Sequence, residues 1–179
     1  MPRSCGFVAL WTALEPARAR CKRTRPLNSL CARLHVTILA QGKSKFQWIE
    51  EGFREYTKRL APFVTVEQVW VRDEEALVKR TRQERASSSG QVVALDAQRG
   101  KVYTSEEFAE VFMRQMEQGG SRVTFVIGGA SGLPQAVYQH AHELLSLSTL
   151  TFTHQLARLV LMEQIYRAIE IYNHTPYHK

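Results

Sequence analysis

The residues best suited to chemistry begin with a glycine turn. An apolar, β-branched run over residues 123–127 stops at Gly128 and Gly129, and Gly132 follows. A strand ending in paired glycines leaves main chain bare, because no Cβ stands between it and a ligand. In open α/β sheets, ligands sit beyond the carboxyl ends of strands. The same spacing also suits a plain strand-to-helix turn. It is not a dinucleotide fingerprint, which needs G-x-G-x-x-G after a first strand, nor a P-loop, since no Lys-Ser/Thr follows.

A second stretch, Leu147-Ser148-Thr149-Leu150-Thr151-Phe152, alternates small hydroxyls with apolar groups. Such a strand end can offer main-chain donors and acceptors to an adenine while Leu and Phe cover its faces. It can equally be a buried strand. Next come His154, Arg158 and Arg167, with Arg158 on a helical repeat with Leu161 and Ile165. A histidine at a helix entry and an arginine along it could hold a phosphate or orient a base, or could form a solvated face. The tail carries His174, Tyr177, His178 and Lys179. Its rings can stack on unpaired bases while the lysine touches phosphate. The six histidines match no standard zinc spacing, so no metal is expected.

Regular elements must position these groups. Residues 34–40 read as a first strand, ended by Gly42. Ser44 is a candidate cap for a helix through Leu60, whose apolar face is Phe46, Ile49, Phe53, Tyr56 and Leu60. Pro62 prevents its continuation. Residues 64–71 alternate as a second strand, and 73–85 form a charged helix. A Ser-Ser-Ser-Gly turn precedes a third strand over 91–96, and Arg99-Gly100 turns after it. Thr104 and Glu107 make a capping box for a helix bearing Phe108, Val111, Phe112 and Met116. The fourth and fifth strands are the runs 123–127 and 147–152. A helix over about 134–145 is expected between them, with His140 and His142 on its solvated side. Residues 155–172 form a last long helix. Strands alternating with helices predict an α/β fold, a mostly parallel sheet flanked by helices.

The totals set bounds. A length of 179 residues fits one domain with a tail, and 44% apolar residues suffice for a core. No apolar run approaches the roughly 20 residues of a membrane span. The net charge is +7, but residues 1–33 carry seven basic groups and one acid, leaving +1 for residues 34–179. Bulk charge therefore does not mark the body as an RNA binder. Cys5, Cys21 and Cys31 all lie in the first 33 residues. A disulfide-stapled fold, a cysteine nucleophile and a thiolate metal site are thus excluded from the body. Residues 1–33 read as a disordered arm, a transit peptide, or an extension that results from placing the start too early.

Together, FVIGGxxGL, LSLSxLTFxHQxARLVLxEQIYRA and a terminal PYHK resemble the RlmH family of SPOUT-class methyltransferases, which act on a pseudouridine of large-subunit ribosomal RNA. The resemblance runs from Leu34 to Lys179. It is strongest from Val123 onward and weaker over 72–91. Thr153 stands where many members have proline. Members begin with Met at the position of Leu34, which points to a non-AUG start there.

The resemblance implies a C-terminal trefoil knot, a homodimer and an active site shared between subunits. It implies S-adenosyl-L-methionine bound by Leu95, Gly128, Leu147, Ser148, Thr149, Leu150, Thr151 and Phe152. His154, Arg158, Tyr177 and His178 would stand near the substrate, and the product would be an N3-methylated pseudouridine. The partner would be ribosomal RNA or the ribosome, without metal or membrane. The location would be cytoplasmic, or a plastid or other organelle if residues 1–33 are a transit peptide. The competing readings are a non-catalytic RNA- or nucleotide-binding module and a SPOUT methyltransferase for another RNA position.

Overall fold

The computed structural model describes residues 33–87 and 90–178. The readings of the N-terminal extension fall on residues 1–32 and lie outside the described residues. The elements are β1 (Leu34–Gln41), α1 (Gln47–Leu60), β2 (Val64–Val71), α2 (Glu74–Ala86), β3 (Gln91–Leu95), β4 (Lys101–Val102), α3 (Ser105–Gln118), β5 (Arg122–Ile127), α4 (Gln135–Tyr138), β6 (Glu143–Ser146) and α5 (His154–Tyr172). The strands form one six-stranded sheet in the order β2-β1-β5-β3-β6-β4. Every pair is parallel.

Alternation along the strands divides the core into two layers. Val36, Ile38, Ala40, Val93, Val123, Phe125 and Ile127 point to the face covered by α1, α3 and α5. Leu39, Val92, Ala94 and Val126 point to the other face, with Leu77 of α2 and Val137 of α4. Register puts Phe125 between Ile38 and Val93. Its ring stacks on Phe112 at 6.4 Å. Burying a phenylalanine side chain contributes about 1.5–3 kcal/mol, so this row ties α3 to the sheet centre. The first layer is much the larger, and it anchors α5.

Helix boundaries follow local chemistry. Glu107 N–H donates to Thr104 Oγ1 at 3.2 Å, and Thr104 N–H donates to the Glu107 carboxylate at 2.9 Å. Both halves of the expected capping box are therefore made. Asp73 caps α2 by accepting from Ala76 N–H at 2.9 Å. Ser44 does not cap α1: the cap position is Phe46, without a side-chain bond.

Two further expectations, on element bounds, are corrected. The helix expected over 134–145 shrinks to α4, residues Gln135–Tyr138. His142 leaves the helical path to pair with the sheet. Its N–H donates to Val92 O at 2.7 Å, and Val92 N–H donates to its Nδ1 at 2.9 Å. Satisfying the backbone groups of Val92, one residue ahead of the β3–β6 ladder, outweighs a helical period in this segment. The last long strand moves as well. It is Glu143–Ser146, and residues 147–153 form a loop. Their hydroxyls turn on local backbone, competing with a ladder. Ser146 Oγ donates to Ser148 O at 2.8 Å, and Leu150 N–H donates to Ser148 Oγ at 3.0 Å.

The short strand β4 has no counterpart in the sequence reading. It leaves β6 lying between β3 and β4. Gly100 is what permits this: a Cβ there would stand 2.3 Å from the Leu145 carbonyl carbon and 2.4 Å from Ser146 N.

Replacing Thr104 with alanine removes one half of the α3 cap. It should lower unfolding free energy by about 1 kcal/mol, read as a lower urea midpoint with an unchanged slope.

Candidate active site

The carboxyl ends of β3, β5 and β6 open into one cleft of about 400 Å³. Residues 95–98, 127–133 and 145–152 contribute most of its lining, closed by Tyr138, His154 and Ala157. That volume lies within the range of small-molecule sites. A larger depression, about 580 Å³, lies at the amino ends of β1, β2 and β5. Within it Arg80 pairs with Glu84 at 2.8 Å, and Thr124 Oγ1 donates to Glu84 at 3.3 Å. The glycine-lined cleft, at the ligand-binding end of a parallel sheet, is therefore the candidate site.

The glycines work differently from the simplest expectation. A Cβ on Gly128 would stand 2.1 Å from Gly132 O, so the space it frees is filled by the chain's own turn. Gly132 N–H donates to Gly129 O at 3.1 Å, and Gly132 adopts φ +88°. The turn folds back on itself and leaves Gly132 with nothing within 4 Å of its Cβ position. The bare main chain that faces the cleft is thus a product of the turn.

Of the expected cofactor residues, Leu95, Gly128, Leu147, Ser148, Leu150, Thr151 and Phe152 line the cleft. Thr149, in the same loop, is exposed and is not part of the lining. Leu95, Ile127, Leu133, Leu147 and Phe152 supply apolar walls suited to an adenine. The fit to S-adenosylmethionine is good: apolar walls for the base, turn main chain for hydrogen bonds, and one carboxylate, Asp96.

His154 caps the cleft at the first residue of α5. Its pKa is lowered, first by burial, then by the charges of Arg158 and Lys45. Arg158, one turn further, is 1% exposed, against the reading of a solvated face. Its guanidinium lies 4.0 Å from the Trp70 ring centroid, and none of its three nitrogens has a hydrogen-bond partner among the described residues. Burial pushes its pKa down to about 10, with Glu50 opposing. A cation–π contact of this desolvated kind is worth about 2 kcal/mol or more.

Tyr177 and His178 stand apart from the cleft. Tyr177 Oη donates to Glu163 at 3.2 Å, and its ring meets Tyr166 edge-on at 4.9 Å. His178 Nε2 sits 2.8 Å from Glu106 at the start of α3, and its Nδ1 sits 3.3 Å from Arg167. Glu163 lies nine residues past His154 on α5, about 14 Å along the axis at 1.5 Å per residue. One chain therefore does not bring His154 and His178 together.

Sequence reasoning missed Asp96, Tyr138, Trp70 and Lys45. Asp96 precedes a turn ending at Gly100, and that Asp-x-x-x-Gly pattern was the available signal. Nothing local marks Trp70 as the partner of Arg158. Among the described residues no group of three or more His, Cys, Asp or Glu is placed to hold a metal ion. No helix among them is long and apolar enough to cross a membrane.

Comparison with known proteins places this geometry. A family model described as "Predicted SPOUT methyltransferase" matches residues 34–178. The "Ribosomal RNA large subunit methyltransferase H" of Protochlamydia amoebophila (strain UWE25) is 48% identical over 146 residues, covering 82% of this chain and 99% of the relative. The protein of that name from Bacillus pumilus (strain SAFR-032) is 41% identical over 160 residues, covering 82% and 100%. The crystal structure of a probable methyltransferase from Bordetella pertussis Tohama I is 14% identical. It covers 76% of this chain and 96% of its own, at a TM-score of 0.50, a likeness of fold.

The environment of His154 predicts a neutral imidazole at physiological pH. Its NMR titration midpoint should fall below the usual ~6.5, and Lys45→Ala should raise it. A midpoint at or above 6.5 in the wild type would contradict the placement.

Proposed function

The chain belongs to the predicted SPOUT methyltransferase family, and from that premise we propose that it methylates large-subunit ribosomal RNA with S-adenosylmethionine as donor. The acceptor is the N3 nitrogen of a pseudouridine. The observation that carries this reading is the 48% identity to a large-subunit ribosomal RNA methyltransferase along nearly that protein's whole length. The cleft at the ends of β3, β5 and β6 supports it, since most of the residues that the family resemblance assigns to the donor line that one space.

When bound, S-adenosylmethionine supplies an electrophilic methyl group, so neither a metal nor a covalent adduct of the protein is needed. The chain's own work is to bind, orient and move a proton. Leu95, Ile127, Leu133, Leu147 and Phe152 offer apolar surface to the donor's adenine, and the turn main chain offers hydrogen bonds. The N3 nitrogen is weakly acidic and must lose its proton, and neutral His154 is placed to accept it or to pass it on. His178 is the alternative acceptor. Alignment can contribute up to ~7–11 kcal/mol, against ~2.7–5.5 kcal/mol for a positioned base. Positioning is therefore the larger share. Burial keeps His154 neutral, and the charge of Arg158, held on Trp70, adds to that effect.

We infer further that the working unit is a homodimer whose sites are shared. The tail of one chain is anchored on α3 and α5, about 14 Å along the helix from its own His154. A two-fold partner supplies the missing reach, since a closed dimer places the same patch on both sides. The exposed side chains of Phe46, Trp48 and Leu150 around the α5 entry support such a covered surface. We also read the insertion of β6 between β3 and β4 as the threading of a trefoil knot, and Gly100 packed on β6 supports it. With +1 over residues 34–179, recognition rests on RNA shape within the assembled ribosome more than on a broad field.

Tritiated methyl transfer to ribosomes that lack the modification should label one pseudouridine of the large subunit. No label, or label on another nucleotide, overturns the reading. Shared sites predict complementation. His154→Ala and His178→Ala proteins should each fall by roughly 10²–10⁴-fold. Mixed subunits should then recover about a quarter of wild-type activity, because half the dimers are mixed and each regains one site. No recovery after confirmed subunit exchange would mean that each chain builds its own site.

A further inference from the structure

Among the described residues that line the cleft, Asp96 is the one carboxylate and none is a lysine or arginine. Asp96 is bound more tightly than its turn requires. Its Oδ1 accepts from Gln98 N–H at 2.7 Å and from Arg99 N–H at 2.9 Å, which already closes the turn. Its Oδ2 also accepts from Tyr138 Oη, which reaches over from α4. Arg99 lies 4.8 Å from the Tyr138 ring centroid and holds that ring from the other side. An ionised carboxylate offers about four lone-pair positions, and these bonds use three. One position on Oδ2 remains. Burial works to raise this carboxyl's pKa, but the Tyr138, Arg99 and Gln98 bonds outweigh it, so the group stays anionic.

A fixed anion in a partly desolvated cleft acts on any cation brought into it. The donor assigned above and its spent form differ by one methyl and one charge. S-adenosylmethionine carries a sulfonium cation; S-adenosylhomocysteine is a neutral thioether with the same adenine, ribose and amino-acid end. Resting on the methyltransferase reading, we propose that Asp96, clamped by Tyr138, is the charge-selective element of the donor site. It favours the charged donor over the neutral product and so assists product release. Tyr138 bonds to Asp96 but carries no charge, so the selectivity belongs to the carboxylate.

Asp96→Asn is the informative variant. The asparagine oxygen can still accept from Gln98 and Arg99 N–H, and its amide can donate to Tyr138 Oη, so the turn survives while the charge goes. Calorimetric titration of the full chain with each ligand reads the result. Asp96→Asn should weaken S-adenosylmethionine binding about tenfold and leave S-adenosylhomocysteine within about twofold. Tyr138→Phe keeps the charge, so it should preserve the preference for the donor even if both affinities fall. Equal weakening of both ligands by Asp96→Asn, or loss of the preference in Tyr138→Phe alone, overturns the proposal and leaves the methyltransferase reading standing. A wild-type protein that binds neither ligand overturns both.

Discussion

Main chain passes closer to main chain at the carboxyl ends of this sheet than any side chain would allow. Gly100 lies against the Leu145–Ser146 peptide, and Gly128 lies against the Gly132 carbonyl. At both places a Cβ would stand within 2.4 Å of backbone atoms that have no room to yield. Everything in the site follows from these crossings. The first lets β6 slide between β3 and β4, which carries the 147–153 loop across the sheet top. The second closes the turn after β5 and presents its peptide groups to the same space. The cleft is shaped by backbone first and lined by side chains second.

Around that backbone frame the electrostatics are sparse and directed. A carboxylate stands at one edge of the cleft, fixed by three hydrogen bonds. At another edge stands an imidazole kept neutral by burial and by two nearby cations. Between them the lining mixes apolar side chains such as Leu133 and Phe152 with peptide groups and the hydroxyls of Ser131, Ser148 and Thr151. This arrangement suits a reaction in which the donor brings its own reactivity and the protein sets charge and proton traffic. A body with almost no net charge is consistent with that division of labour.

Much of this was legible in the sequence because the deciding forces were local. The Thr104–Glu107 box, the Asp73 start of α2 and the buried Ile49, Phe53 and Leu60 of α1 follow from patterns within a turn or two, while Phe46, expected on that face, is exposed. The sequence places the glycine turn at Gly128 and the run 147–152 near one another, and both line the cleft, the run as a loop rather than the expected strand. The misses share a cause. His142 bonds to Val92, fifty residues away in sequence, and no period in 134–145 reveals that edge. Tyr138 reaches Asp96 across forty-two residues. Arg158 looked like a surface cation because its partner is an aromatic face on a distant strand. The placement of the tail residues depends on α3, which local patterns do not connect to the C-terminus.

The pairing of Arg158 with Trp70 has an evolutionary corollary. A guanidinium without hydrogen bonds is tolerable in the interior only while a π-face lies against it. Loss of the indole alone strands a charge away from water, and loss of the arginine alone opens a hole beside the ring. Exchange of both together for an apolar pair of similar volume would be far gentler. Across lineages, then, positions 70 and 158 should drift in step, and sequences that alter one should carry a matched change at the other.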